Sequence, residues 1–362
     1  MLNMEFFKDP EIAGRLSEQI KQSVPSPLRL MEVCGTHTVA IFRSGIRSLL
    51  PKEITLLSGP GCPVCVTAIE DIDRAIALVN LPDIVLATFG DMMRVPGSKS
   101  SLNEEKAKGR DIRIVYSPMD SLKIAGENPE KKVIFFATGF ETTSPSVAAT
   151  VMEAELSGLK NFFAFSVHKL VPPALSALLS APEVRIDGLI LPGHVSTIIG
   201  LEPYRFIASR YNMPSVIAGF EPVDILQAIY MLIQQLKNKK PQVEIQYGRM
   251  VYPQGNPKAV ELINQVFEPA DANWRGIGVI PKSGLKLREE FSHFDAEKVF
   301  EISISPAKEP GGCSCGEVLR GIKIPTDCKL FGRACTPEHP IGACMVSTEG
   351  SCAAYYKYGG EG

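Results

Sequence analysis

The chain has 362 residues, 45% hydrophobic and 22% charged, a composition that supports two or three domains with real cores and no covalent staples. A formal net charge of −2 and an isoelectric point near 6.3 argue against a nucleic-acid or anionic-membrane partner, and the basic cluster Lys106 to Arg113 reads as solvated surface. The opening residues MLNMEFFKDPEIAGRL carry charges where a secretory leader needs an apolar stretch, and no run approaches the roughly 18 uninterrupted apolar residues of a membrane span. A soluble cytoplasmic protein is expected. Thiols stay reduced there, so nine cysteines point to metal ligation or redox work rather than to static disulfides.

From about residue 27, short apolar runs alternate with amphipathic stretches, which is the pattern of βαβ units. LRLMEVC comes first, then EITLLSGPGCPVC. Val66, Ile69, Ile72, Ile76 and Val79 follow at three- and four-residue steps and predict a helix with one buried face. DIVLATFGD and IRIVYSP complete a first set. A second set runs through KKVIFFATGFETT, a helix around Val147 to Leu156, NFFAFSVHK, another helix, DGLILPGHVS and MPSVIAGFEP. Near-continuous apolar strands such as VIFFA indicate parallel sheets buried on both faces, and each stops at a Gly- or Pro-containing loop. The fold class expected is α/β: two successive doubly wound domains, at 27–125 and 126–245, and a Cys-rich third domain at 246–362 joined by 1–26. All the front motifs fall at carboxyl ends of strands, where open α/β sheets place their sites.

Cys34-Gly35-Thr36-His37 follows one strand, and Gly59-Pro60-Gly61-Cys62-Pro63-Val64-Cys65 follows the next, just before a helix. A cysteine at a helix N-terminus meets the positive end of the macrodipole, so a lowered thiol pKa is expected. Taken alone, the CxxC fits a structural zinc half-site, a redox dithiol, a catalytic metal site or inert core thiols. Adding Cys34 and His37 makes a soft set of three sulfurs and one nitrogen that suits zinc or low-spin iron, with His37 either a ligand or a hydrogen-bonding neighbour.

Cys313, Cys315, Cys328, Cys335, Cys344 and Cys352 are packed into the tail among Gly and Pro. Zinc takes four ligands, usually in two tight knuckles that are absent here. An iron–sulfur cluster also takes four, tolerates wider spacing and leaves two thiols over, which could form a redox-active disulfide beside it. A zinc site and a disulfide-only scaffold are the alternatives. Because CxC leaves little room for both sulfurs on one cubane, Cys313, Cys328, Cys335 and Cys352 are the expected ligands, with Cys315 and Cys344 as the pair. Cys315 could exchange roles with Cys313, and Cys344 with Cys352.

Glu141, in Thr138-Gly139-Phe140-Glu141-Thr142-Thr143, directly follows an apolar strand and is a candidate acid or base; Thr142 or Thr143 could instead cap the next helix. His168 and His194 also end strands, as loop anchors or as chemistry. No GxGxxG follows the first strand, no GxxxxGK[ST] occurs, and Ser and His appear without a GxSxG elbow after an apolar strand, which leaves nucleotide binding and hydrolysis without support.

Cys34-Gly35-Thr36-His37-Thr38, Gly59 to Cys65, Phe136 to Thr143, Pro192-Gly193-His194 and the tail from Cys313 to Tyr356 together resemble the HypD family of [NiFe]-hydrogenase maturation proteins, over essentially the whole chain. The resemblance implies a scaffold, shared with the small chaperone HypC, on which an iron carrying two cyanides and one carbon monoxide is assembled for the hydrogenase large subunit. It implies cyanide arriving from HypE, which HypF supplies, and a monomer within these complexes. Cys34, Cys62 and Cys65 then hold iron and take part in cyanide transfer, with His37 close by, and the tail carries a [4Fe–4S] cluster with a neighbouring disulfide. Electrons are expected to pass from the cluster through Cys315 and Cys344 to Cys62 and Cys65. The competing classes are a zinc-stabilised binding scaffold and a general thiol–disulfide oxidoreductase.

Overall fold

A computed structural model describes residues 4–359. Among the described residues, β1 (Leu28–Glu32), β2 (Ile54–Ser58), β7 (Gly188–Pro192), β8 (Ser215–Ala218) and β9 (Val243–Ile245) form a parallel sheet in the order β2-β1-β7-β8-β9. A second parallel sheet, β4-β3-β5-β6, comprises β3 (Ile84–Thr88), β4 (Ile112–Ile114), β5 (Lys132–Ala137) and β6 (Phe162–Ser166). An antiparallel hairpin, β10 (Phe267–Trp274) with β11 (Gly278–Leu287), precedes the Cys-rich tail. This is the expected α/β architecture with its parallel sheets and a Cys-rich end.

The residue ranges of the two α/β units differ from expectation. The division at 125/126 falls between β4 and β5, which belong to one sheet with β3 between them. The chain lays down β1 and β2, builds the whole second sheet, and returns to complete the first. Apolar runs identify strands but not their partners. Here the partner is set by packing: Gly188 has no side chain, and a Cβ there would press on Leu30 and Leu232 at 3.1 and 3.3 Å, so β7 can lie close against β1. The outer ends of the expected third domain, 1–3 and 360–362, lie outside the described residues.

The inner strands are buried on both faces, as Phe135, Phe136, Phe162 and Phe165 show, all fully buried. Phe267, Leu285 and Leu287 of the hairpin join the core of the second sheet, while the helices Pro10–Ser23 and Pro222–Asn238 cover one face of the first. The tail helix Ser351–Tyr358 packs on the helix Gly35–Arg43, with Phe42 against Tyr355 at 4.7 Å and the Arg47 guanidinium over both rings.

One buried ion pair shapes the carboxyl edge of the first sheet. Asp224, fully buried, accepts both Arg249 Nη atoms, at 2.7 and 2.5 Å, and the Gln246 side chain at 2.9 Å. Gly219 packs on that carboxylate with no room for a Cβ, and Arg249 also lies 3.7 Å over the Phe7 ring. Removing one partner of such a pair strands the other charge. Arg249→Met is therefore expected to cost about 3–5 kcal/mol in urea unfolding; a loss under ~1 kcal/mol would mean that Gln246 and water satisfy Asp224 without it.

Candidate thiol and metal centre

Cys34 follows β1 and stands at the N-cap of the helix Gly35–Arg43; Cys62 holds the same position before the short helix Pro63–Val66. Because β1 and β2 pair in parallel from Leu28 and Ile54 to Glu32 and Ser58, both loops leave the same edge side by side. Gly35 N–H donates to the Gly61 carbonyl at 3.1 Å, and Gly61 lies so close to the Cys34 backbone that any side chain would collide with it. Within the CxxC, Cys65 N–H donates to Cys62 Sγ at 3.3 Å and the two sulfurs are 2.6 Å apart. The backbone thus brings the loop of Cys34 against the loop of Cys62.

The electrostatics run against the expected acidification. Burial pushes the Cys34 thiol up to about 11, although the Thr36 hydroxyl and the N–H groups of Thr36 and His37 favour its thiolate. Cys65 is raised as well, burial again dominating. A helix of four residues has little dipole to offer, and even a full one contributes only about 0.3–1 kcal/mol, less than the cost of burying an unpaired thiolate.

His37 is anchored through its ring. Its Nε2 donates to the Gly219 carbonyl at 2.9 Å and its ring stacks on Phe220, whose other neighbour is the His194 ring. Burial lowers its pKa to about 4, so the ring is neutral, and Nδ1 has no partner. Donation from Nε2 fixes Nδ1 as a lone-pair nitrogen, the form that binds a metal.

Glu141 does not leave capping to its threonines: the helix Ser144–Leu156 has no side-chain cap, and Thr143 donates to the Phe140 carbonyl instead. The carboxylate reaches across to accept Val171 N–H at 3.0 Å, at the first residue of the helix Val171–Ser180. Its second oxygen is buried without a partner, and burial raises its pKa to about 7. His168, also at a strand end, bonds Ser166 rather than the thiols.

The tail sulfurs lie against the front ones. Cys344 interacts by its side chain with Cys315, Cys352 and Cys65, and Cys315 also with Cys313. A Cβ on Gly342 would strike the sulfurs of Cys315 and Cys313. Cys335 Sγ accepts the Ile341 N–H at 3.3 Å, and Cys328 sits at the rim, 3.8 Å from the Gly312 carbonyl. All nine thiols are free, and among the described residues no three His, Cys, Asp or Glu side chains form a ready-made single-ion site.

A HypD family model, described as the hydrogenase formation hypA family, matches residues 11–359. The chain belongs to the HypD family. It is 47% identical to the hydrogenase maturation factor HypD of Azotobacter vinelandii over 368 residues, covering 99% of this chain and 97% of that one. It is 45% identical to the factors of that name from Rhodobacter capsulatus, over 366 residues (98% and 97% covered), and Escherichia coli (strain K12), over 360 residues (97% and 96%). As a member of that family the chain is a hydrogenase maturation factor. No helix among its described residues is long and apolar enough to cross a membrane.

Two site residues of this HypD-family chain escaped the sequence reading. Glu32, fully buried below Cys34, accepts Ser58 Oγ at 3.1 Å, and burial raises its carboxyl to about 7. A charge inside the apolar run LRLMEVC was the available signal. Glu349 accepts the Thr36 hydroxyl at 2.8 Å and presses its backbone on Gly35; nothing local in STEGSC marks it.

Glu141 generates a pH signature. Its native carboxyl keeps a proton that the unfolded chain releases between pH 4.5 and about 7, so its contribution to stability falls as pH rises through that window and is level above it. Measured against Glu141→Gln, the wild type is expected to lose on the order of 3 kcal/mol of relative stability between pH 4 and pH 8. A difference that stays flat across that range would place Glu141 in a solvated setting.

Proposed function

We propose that this maturation factor is the scaffold on which, with HypC, the Fe(CN)2CO unit is assembled, and that it supplies the electrons for cyanide transfer from HypE through a relay of its own thiols in the cytoplasm. The observation that carries this reading is the side-chain contact of Cys65 with Cys344, which links the CxxC to the tail.

Iron is the cargo, and Cys34, Cys62 and Cys65 are its proposed holders, with the His37 Nδ1 lone pair in reserve. Soft thiolates suit low-spin iron bearing strong-field cyanide and carbon monoxide. Cyanide release from a thiocyanate sulfur is a two-electron step. The Cys62 and Cys65 thiolates together give up two electrons and form a disulfide, while the S–CN bond breaks to leave the donor's thiolate and cyanide. Exchange with Cys344 and Cys315 then returns the front pair to thiols and leaves the tail pair oxidised. In this reading Glu141, whose carboxyl burial raises to about 7, would give or take the proton.

The tail fits a [4Fe–4S] cluster by its donor set: Cys313, Cys328, Cys335 and Cys352 would hold it, Gly342 leaves open the space next to two of the sulfurs, and a backbone N–H already serves Cys335. When bound, a cluster there supplies one-electron reducing equivalents. Delivery to the hydrogenase large subunit follows as the last, indirect partnership.

Two measurements test this. The anaerobically purified chain should be brown, with a broad band near roughly 400 nm and acid-labile sulfide, whereas a zinc scaffold is colourless. With the front pair oxidised beforehand, Cys315→Ala and Cys344→Ala should transfer cyanide at least about tenfold more slowly than the wild type after reduction, in single turnover. Wild-type rates in both variants would overturn the relay.

A further inference from the structure

Arg275 follows β10 in the turn of the hairpin, between the two cysteine groups. Its N–H donates to the Val66 carbonyl, next to Cys65, and a Cβ on the following Gly276 would meet Gly316 Cα at 2.6 Å, next to Cys315. An arginine in a turn is ordinarily solvated, but this one is only 3% exposed.

A guanidinium cannot shed its charge, and a buried charge needs an opposite one beside it. No carboxylate provides it. Nη2 donates to the Pro96 carbonyl at 3.0 Å, Nη1 is buried without a partner, and Arg275 enters no ion pair among the described residues. The acids of the adjoining segments keep their charge but face other donors: Glu70 the Asn273 amide, Asp73 the N–H and hydroxyl of Ser98, and Glu309 the Gly276 N–H. The bonds of Asp73 and Glu309 are exposed to water, which screens them. The neighbouring cations are in a different position. Lys323 pairs with Glu317 at 2.8 Å and Arg320 with Glu183 at 2.6 Å, while Arg94, which meets only the Pro337 and Val346 carbonyls, is exposed.

What Arg275 faces is sulfur. The Cys315 side chain and burial push the Cys313 thiol up, and the charge of Arg275 works against both by favouring the thiolate. Cys313 is in electrostatic reach of Cys335 and Cys352, two more of the proposed cluster holders, and its sulfur borders the space that Gly342 leaves open.

A [4Fe–4S] cluster held by four thiolates is a dianion when oxidised and a trianion when reduced, so a fixed cation beside it acts more strongly on the reduced state and raises the reduction potential. We infer that Arg275 is the built-in counter-charge of the tail cluster, neutralising part of its thiolate charge and making its reduced state accessible inside a buried sulfur site. Arg275 serves this purpose only if the tail holds the cluster proposed above.

The reduction potential is the readout, because a merely structural arginine would not set it by charge. The full-length chain, purified anaerobically with its cluster, is titrated potentiometrically and followed by electron paramagnetic resonance. Arg275→Gln, which keeps an amide donor for the Pro96 carbonyl, and Arg275→Met should each lower the ratio of reduced to oxidised cluster at a fixed potential about tenfold, a shift of ~59 mV for one electron. Arg275→Lys, which keeps the charge and loses the guanidinium, should stay within about threefold of the wild type. Should neither neutral variant retain iron and acid-labile sulfide, Arg275→Lys decides: a lysine variant that keeps both supports the counter-charge, and loss in all three variants overturns it. Unchanged potentials in the neutral variants, or a lysine variant shifted as far as the methionine one, overturn it as well. A wild-type chain that binds no cluster overturns the cluster reading together with this role, whereas a cluster whose potential ignores Arg275 overturns this role alone.

Discussion

The docking of the Cys-rich tail onto the carboxyl edge of the first sheet is the constraint on which the rest depends. Neither part completes the site alone. The CxxC presents Cys65, the tail presents Cys344, and Glu349 closes over Thr36 and Gly35. The hairpin braces both partners: Arg275 N–H donates to the Val66 carbonyl, next to Cys65, while Gly276 packs face to face with Gly316, next to Cys315. A segment with few long apolar runs thus acquires its order from the sheet edge that it covers, and it carries its sulfurs with it.

That burial decides the chemistry available. Water is removed from Cys34, Cys65, Glu32, Glu141 and His37 together, and each moves toward its neutral form: thiols and carboxyls upward, imidazole downward. Several polar atoms are left without partners in the same region, among them Glu32 Oε2, His37 Nδ1, Thr138 Oγ1 and Glu141 Oε2. Orphans of this kind are expensive in a finished core and accumulate where something else is meant to bind. A cation brought among buried thiols reverses the balance, because it pairs with the thiolates that burial disfavours.

Local chemistry was legible in the sequence where it was written in consecutive residues. The strands VIFFA and FFAFS, the two cysteine groups and the loops that carry them stand where the pattern put them, and the helix expected from Val66 begins at Ile69, Val66 ending a separate short helix. Strand order was not, since β1 finds β7 across 158 residues through the fit of Gly188 against Leu30 and Leu232, a contact with no local periodicity. The thiol pKa values went the wrong way for a related reason: the N-cap position of Cys34 can be read from a strand-to-helix junction, but its burial depends on Glu349 and the tail, more than 300 residues later. Glu141 was recognised as a carboxylate at a strand end, yet its real partner, Val171 N–H, belongs to the next βα unit.

The same logic explains where this fold tolerates no side chain. A Cβ on Gly35 would strike the Glu349 carbonyl, on Gly61 the Cys34 backbone, on Gly342 the sulfurs of Cys315 and Cys313, and on Gly350 the Cys344 carbonyl. None of these four has a positive φ, so conformational freedom is not what requires them. What requires them is distance: Gly35, Gly61 and Gly350 let segments beside the cysteines meet backbone to backbone, and Gly342 lets the backbone lie against two sulfurs. A relay of thiols works only if successive sulfurs reach one another without diffusion, and a side chain at any of these contacts would hold the segments apart by the width of a methyl group. The glycines around the cysteines are therefore spacers of zero length, and they belong to the site as much as the sulfurs do.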